Sequence, residues 1–180
     1  MDFPPTKRRI SCSALLAMLL GMALIAPACA TSKAKGKDVQ MQAVQRELDQ
    51  LIDREAIREL PITYCYYVHQ KDVKAIVDLF TVDGRLQLSQ ELGSGAEGTE
   101  ALRTFYEKSI ASADPWPFVH NHHIEILGPD RAKGSIYAEI RYGSQGYRTV
   151  AIGVYEDEYQ KVGGVWKFKS RVFKSHTVTN

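Results

Sequence analysis

GVYEDEYQKVGGVWKFKSRVF, residues 153–173, decides the fold of this chain. Two runs of alternating apolar and polar residues flank the Gly163-Gly164 pair, the pattern of a tight hairpin between two long antiparallel strands. Working back from it, residues 118–127, 132–142 and 147–161 read as further strands, separated by the Gly128-Pro129-Asp130 turn and a second turn at 143–146. Ahead of them lie helical patterns. Val44, Leu48, Leu51, Ile52, Ile57 and Leu60 recur at three- and four-residue steps, with Pro61 expected to kink the helix before it continues to His69. Residues 73–80 and 99–111 predict two more helices, and Leu86 and Leu88 a short strand between them. Helices first and a long antiparallel sheet after define an α+β class in which the sheet wraps a pocket.

The 180 residues suit one domain with a full core. Residues 1–30 read as an export signal, with basic Lys7, Arg8 and Arg9, a short apolar run from Ala14 to Ala26, and small residues at Ala26-Pro27-Ala28 and Ala28-Cys29-Ala30. The apolar run is too short for an integral membrane span. Lipid attachment at Cys29 is the alternative processing, and either route predicts a periplasmic or secreted protein. Residues 31–48 read as a tether and the start of the first helix, and 49–180 as the domain. Three of the 23 basic and one of the 21 acidic residues lie in the first thirty, leaving twenty of each in the mature chain. A neutral chain lacks the basic footprint of a nucleic-acid binder. Cys65 is the one cysteine beyond the signal, so no disulfide framework holds the domain.

The run His120-Asn121-His122-His123 is the densest cluster of chemically active side chains. Strict alternation puts His120 and His122 on the face of Ile124 and Ile126, the inward face. Tyr64, Tyr67 and His69, from the first helix, are expected to meet them there, an acid-base set of imidazoles and phenols. A His-x-His zinc site is the alternative, with His69 the obvious third ligand. Glu91 to Gly98 reads as a mobile glycine-rich loop, and Glu156, Asp157 and Glu158 as a solvated acidic strand end. Tyr137, Glu139 and Arg141 fall on the outer face, where Tyr137, Tyr147 and Phe173 would make a sheet-to-sheet contact.

The stretches REAIRELPITYCYYVHQKDVKAIVDLFTVDG, GTEALRTFYE, HNHHIEILGPDRAKGSIYAEIRY and the closing hairpin, in this order, resemble the SnoaL-like branch of the NTF2-like superfamily, whose relatives include ketosteroid isomerases, scytalone dehydratase and bile-acid dehydratases. The resemblance implies a cone: a curved antiparallel sheet closed by helices around a pocket, commonly dimeric through the sheet. It implies cofactor-independent removal of a proton beside a carbonyl, or expulsion of a hydroxyl. Tyr64 matches a tyrosine frequent in the first helix, His69 stands where many members carry Asp, and Asp72 matches a second acidic position. The expected protein is an exported cone that binds a small, largely apolar organic ligand and forms a homodimer. As a dehydratase or isomerase it would use His69, His120, His122 and Tyr64, with Tyr67, Asp72, Trp116, Phe118 and Ile124 contacting the ligand and no cofactor or metal. The other expectation is a non-catalytic carrier or sensor at the cell envelope.

Overall fold

Ile57, Leu60, Tyr64 and Val68 repeat at three- and four-residue spacing and form the buried stripe of a long helix. In the computed structural model, which describes residues 28–89, 92 and 94–177, this helix is α1 (Ala28–Gln70), unbroken through Pro61. Residues 1–27 of the expected export signal and the Cys29 side chain lie outside the described residues. The chain divides into two units, 1–46 and 47–180. Within the first, residues 31–38, expected as a flexible tether, are helical, as three lysines and an alanine, all good helix formers, allow. The apolar stripe is shorter than its spacing predicts, because Val44, Leu48, Leu51 and Ile52 are exposed and burial begins at Ile57.

All the remaining elements belong to the second unit. The Asp72 carboxylate accepts from the Ala75 amide at 2.9 Å and starts α2 (Val73–Asp78). The chain then enters β1 (Phe80–Gln87), a longer strand than expected. The described part of the glycine-rich loop supplies β2 (Ala96–Glu97), and α3 (Thr99–Ala113) buries Leu102 and Tyr106 one turn apart. Left-handed Asp114 ends α3 and forms an ion pair with Lys71, just beyond the end of α1, at 2.9 Å. Four long strands follow: β3 (Pro115–Ile126), β4 (Arg131–Tyr142), β5 (Arg148–Val162) and β6 (Val165–Thr177). Gly163 and Gly164 both have positive φ, the requirement of a two-residue hairpin turn.

The sheet order is β2-β1-β6-β5-β4-β3, antiparallel throughout except for the parallel pair β1 and β6. Ile57, Ile76, Leu102 and Phe168 anchor one part of the core, and Ile136, Ala138, Tyr155 and Phe173 the other.

Two of the sheet's register shifts decide how His120, Arg171 and Phe173 face. On β3 the register passes from Val119 opposite Ala138 to His122 opposite Ile136, so His120 and Asn121 together face one residue of β4. On β6 it passes from Phe168 opposite Tyr159 to Ser170 opposite Glu158, leaving Lys169 as the extra residue. Each is a β-bulge, and each reverses the alternation beyond it. Val119 and His122 therefore share the inner side while His120 is exposed, and Arg171 and Phe173 turn inward on β6. The expected inward His120 and outward Phe173 are both corrected by these bulges.

Candidate functional site

A cavity of about 40 Å³ lies among α1, α3, β1, β3, β4 and β5. Its buried floor is Tyr64, Val68, Tyr106, Ile140 and Tyr155, and its half-buried rim includes Leu88, Phe105 and Tyr142. The space suits a few waters at most, so the roomy hollow expected for an organic ligand is nearly filled by side chains. Two of its phenols, Tyr64 and Tyr106, are joined to each other. The Tyr106 and Tyr64 hydroxyls share one hydrogen bond at 3.2 Å, so one phenol proton of the pair is left for another acceptor. Burial raises both phenols well above their ordinary range, so both are neutral donors.

Behind the rings of Tyr64 and Tyr155 sits a fully buried ion pair. The Arg171 guanidinium packs 4.4 Å from the Tyr64 ring centre, 3.9 Å from that of Tyr155 and 4.5 Å from that of Phe168. Its Nε lies 3.6 Å from Asp157 Oδ1, too long for a hydrogen bond. None of the three guanidinium nitrogens has a hydrogen-bond partner, and neither does Asp157 Oδ1. Burial pushes the Asp157 carboxyl up to about 6, although Arg171 and a hydrogen bond from Tyr159 both favour its charged form. Burial also raises the neighbouring Cys65 thiol to about 11, leaving it protonated and inert.

His122 belongs to this cluster. The Tyr159 hydroxyl donates to Asp157 Oδ2 at 3.0 Å, so the 3.1 Å contact between Tyr159 and His122 Nε2 requires the imidazole N–H to donate to the phenol oxygen. Nδ1 of His122 is left without a partner. Burial, followed by the charges of Arg171 and Arg58, holds the ring near 4 and therefore neutral at pH 7. Gly134 makes room for it, since a β-carbon there would lie 2.8 Å from His122 Nε2.

The other nominated residues stand apart, and Tyr64 alone among them walls the cavity. His69 Nε2–H donates to the Pro117 carbonyl at 3.1 Å, and its ring stacks on Trp116 at 4.5 Å. Desolvation keeps it below its ordinary range, partly offset by that hydrogen bond. His120 faces solvent. Asp72 is the exposed cap of α2, Tyr67 packs at the edge of the core against Tyr66, and Ile124 is a core residue. Phe118 lies on the outer face, with Arg141 5.2 Å from its ring centre. The imidazoles and phenols expected in one hollow thus divide among the cavity, the buried cluster and the surface. Among the described residues no group of His, Cys, Asp and Glu is arranged to hold a metal ion, and no helix is long and apolar enough to cross a membrane.

Asp157 and Arg171 escaped the sequence reading for different reasons. Tyr155, Asp157 and Tyr159 alternate in phase, so a buried Asp157 was signalled, but its acidic neighbours suggested a solvated run. Arg171 carried no such signal, because regular alternation from Trp166 places it outside.

A six-stranded curved sheet holding a cavity against its helices defines the cystatin-like, NTF2-like class of α+β proteins. The SnoaL-like domain model matches residues 49–172, and the chain belongs to that family. Solved structures agree on the fold. An NTF2-like protein with a cystatin-like fold from Novosphingobium aromaticivorans has a TM-score of 0.66 at 18% identity, covering 76% of this chain and 90% of its own. A candidate scytalone dehydratase from the same organism gives 0.62 at 21%, covering 73% and 89%. The hexachlorocyclohexane dehydrochlorinase LinA-type3 of Novosphingobium barchaimii gives 0.64 at 20%, covering 74% and 92%. No curated protein matches.

Proposed function

We propose that this protein binds a small, largely apolar organic ligand in the cavity and holds one of its oxygens on the Tyr64 hydroxyl. The observation behind this reading is a hollow whose buried floor presents a hydrogen-bonded pair of neutral phenols with one proton to spare. A ring-sized ligand enters by spreading the half-buried rim at Leu88, Phe105 and Tyr142. The test is a thermal-shift screen of small phenols, cyclic ketones and alcohols against wild type and Tyr64→Phe. Ligands that stabilise wild type and lose most of that effect in the variant support the reading; no stabilisation by any of them refutes it.

A second reading adds catalysis, an elimination or isomerisation without cofactor. It is favoured by the Arg171 cation packed on the Tyr64 ring at the cavity floor, with the buried Asp157 carboxyl, raised to about 6, as its proton-accepting neighbour. Two structural neighbours are described as a dehydratase candidate and a dehydrochlorinase, which supports elimination chemistry. Deuterium exchange beside the carbonyl of a bound ketone, followed by NMR, separates this from a carrier. Exchange that exceeds the solvent rate and is lost in Asp157→Asn supports catalysis, and binding without exchange supports the carrier.

Two wider parts of the proposal concern the whole protein. Residues 1–30 direct export, with processing or lipidation near Cys29, which the mass of the mature N-terminus would reveal. The outer sheet face, where Phe118, Tyr137 and Ile152 are 36%, 55% and 50% exposed, pairs with a second copy.

A further inference from the structure

Arg171 is 0% exposed, and every nitrogen of its guanidinium lacks a hydrogen-bond partner. Buried donors are nearly always satisfied, so this group is a strong anomaly. Its partner explains little of it, since Asp157 Oδ1 at 3.6 Å supplies charge without a hydrogen bond and is itself unpartnered. Three aromatic rings fix the guanidinium in place, and two of them, Tyr64 and Tyr155, also form the cavity floor. A planar fork of donors is thus held in advance, one ring's thickness behind the space a ligand would occupy.

We infer that the ligand of this cavity carries a carboxylate, which passes the edge of the Tyr64 ring and docks on the Arg171 guanidinium. This rests on the cavity-binding reading and specifies its chemistry. The planar fork matches a carboxylate with two parallel N–H···O bonds, while the apolar remainder of the ligand fills the hollow above. A neutral amide or ketone leaves the cation without its anion.

Asp157 sets the strength of the site. From β5, Tyr155 and Tyr159 face it, and burial keeps both phenols protonated. From β6 comes Arg171 and from β3 His122, neutral at pH 7. From α1, Tyr64 and Cys65 are likewise held protonated, as is Tyr106 from α3, while Arg58 points outward to Glu55. Below pH 6 the Asp157 carboxyl takes up a proton and the Arg171 charge is no longer compensated. Carboxylate binding therefore strengthens as pH falls.

The experiment titrates benzoate and its neutral analogue benzamide into the full mature chain by calorimetry. Benzoate is expected to bind at least about tenfold more tightly than benzamide, and about tenfold more tightly near pH 5.5 than near pH 7.5. The double variant Arg171→Met with Asp157→Asn removes both charges and keeps an acceptor for Tyr159. It is expected to lose both the preference for benzoate over benzamide and the pH effect. Benzamide binding with no benzoate preference overturns the inference and leaves the cavity reading standing. Failure of both probes overturns both. Should the double variant not fold, the preference and the pH effect in wild type still decide.

Discussion

Burial lifts the Asp157 carboxyl from 3.8 to about 6 and lowers the His122 imidazole from 6.5 to about 4, and the two act oppositely on stability. For Asp157 the folded state binds more protons than the unfolded between those values, so its contribution falls as pH rises through that window. For His122 the unfolded state binds more, and its contribution rises with pH from about 4 to 6.5. Urea denaturation is predicted to show wild type losing about 2 kcal/mol relative to Asp157→Asn between about pH 4 and pH 6.5. His122→Gln should show a stability that drops more steeply with rising pH than wild type over the same range. A second prediction concerns the phenol pair. Tyr64→Phe and Tyr106→Phe each cost about 1 kcal/mol, and the double variant less than their sum, because one hydrogen bond joins them.

At the scale of elements, the two bulges govern where chemistry sits. His120→Ala, on the solvent side of the β3 bulge, is predicted to leave stability within about 0.5 kcal/mol of wild type. Gly134→Ala, one strand away, drives a β-carbon toward His122 Nε2 and the His123 carbonyl, both within 2.9 Å. It should cost about 2 kcal/mol by thermal or urea denaturation. The helices, the long strands and the hairpin at Gly163-Gly164 were legible because apolar periodicity and turn residues report directly on local backbone. A bulge has no such signature. It adds one residue to one strand, and nothing in HNHH or FKSRVF marks which residue is extra. For that reason the family and the cavity tyrosine Tyr64 could be read in advance, while the facing of His120, Phe173 and Arg171 could not. Asp157 is a different case, since its phase with Tyr155 and Tyr159 was readable and its charged neighbours outweighed it.

At the scale of the whole molecule, the outer sheet face combines apolar Tyr137 and Ile152 with the Arg141 to Glu139 ion pair at 2.7 Å. Self-association there predicts that Tyr137→Glu with Ile152→Lys shifts sedimentation from dimer to monomer while circular dichroism stays unchanged. A chain that sediments as a monomer before substitution overturns that assembly. The parallel pairing of β1 with β6 has another consequence. Apart from a two-residue contact with β2, residues 80–87 pair only with 168–172, so a strand more than eighty residues on is the central one that holds β1 in the sheet. Contacts this distant along the chain form late. A truncation before Val165 is predicted to show no cooperative thermal transition. Until residues 165–177 are in place, β1 keeps an unpaired edge, the kind of open rim on which a foreign strand adds.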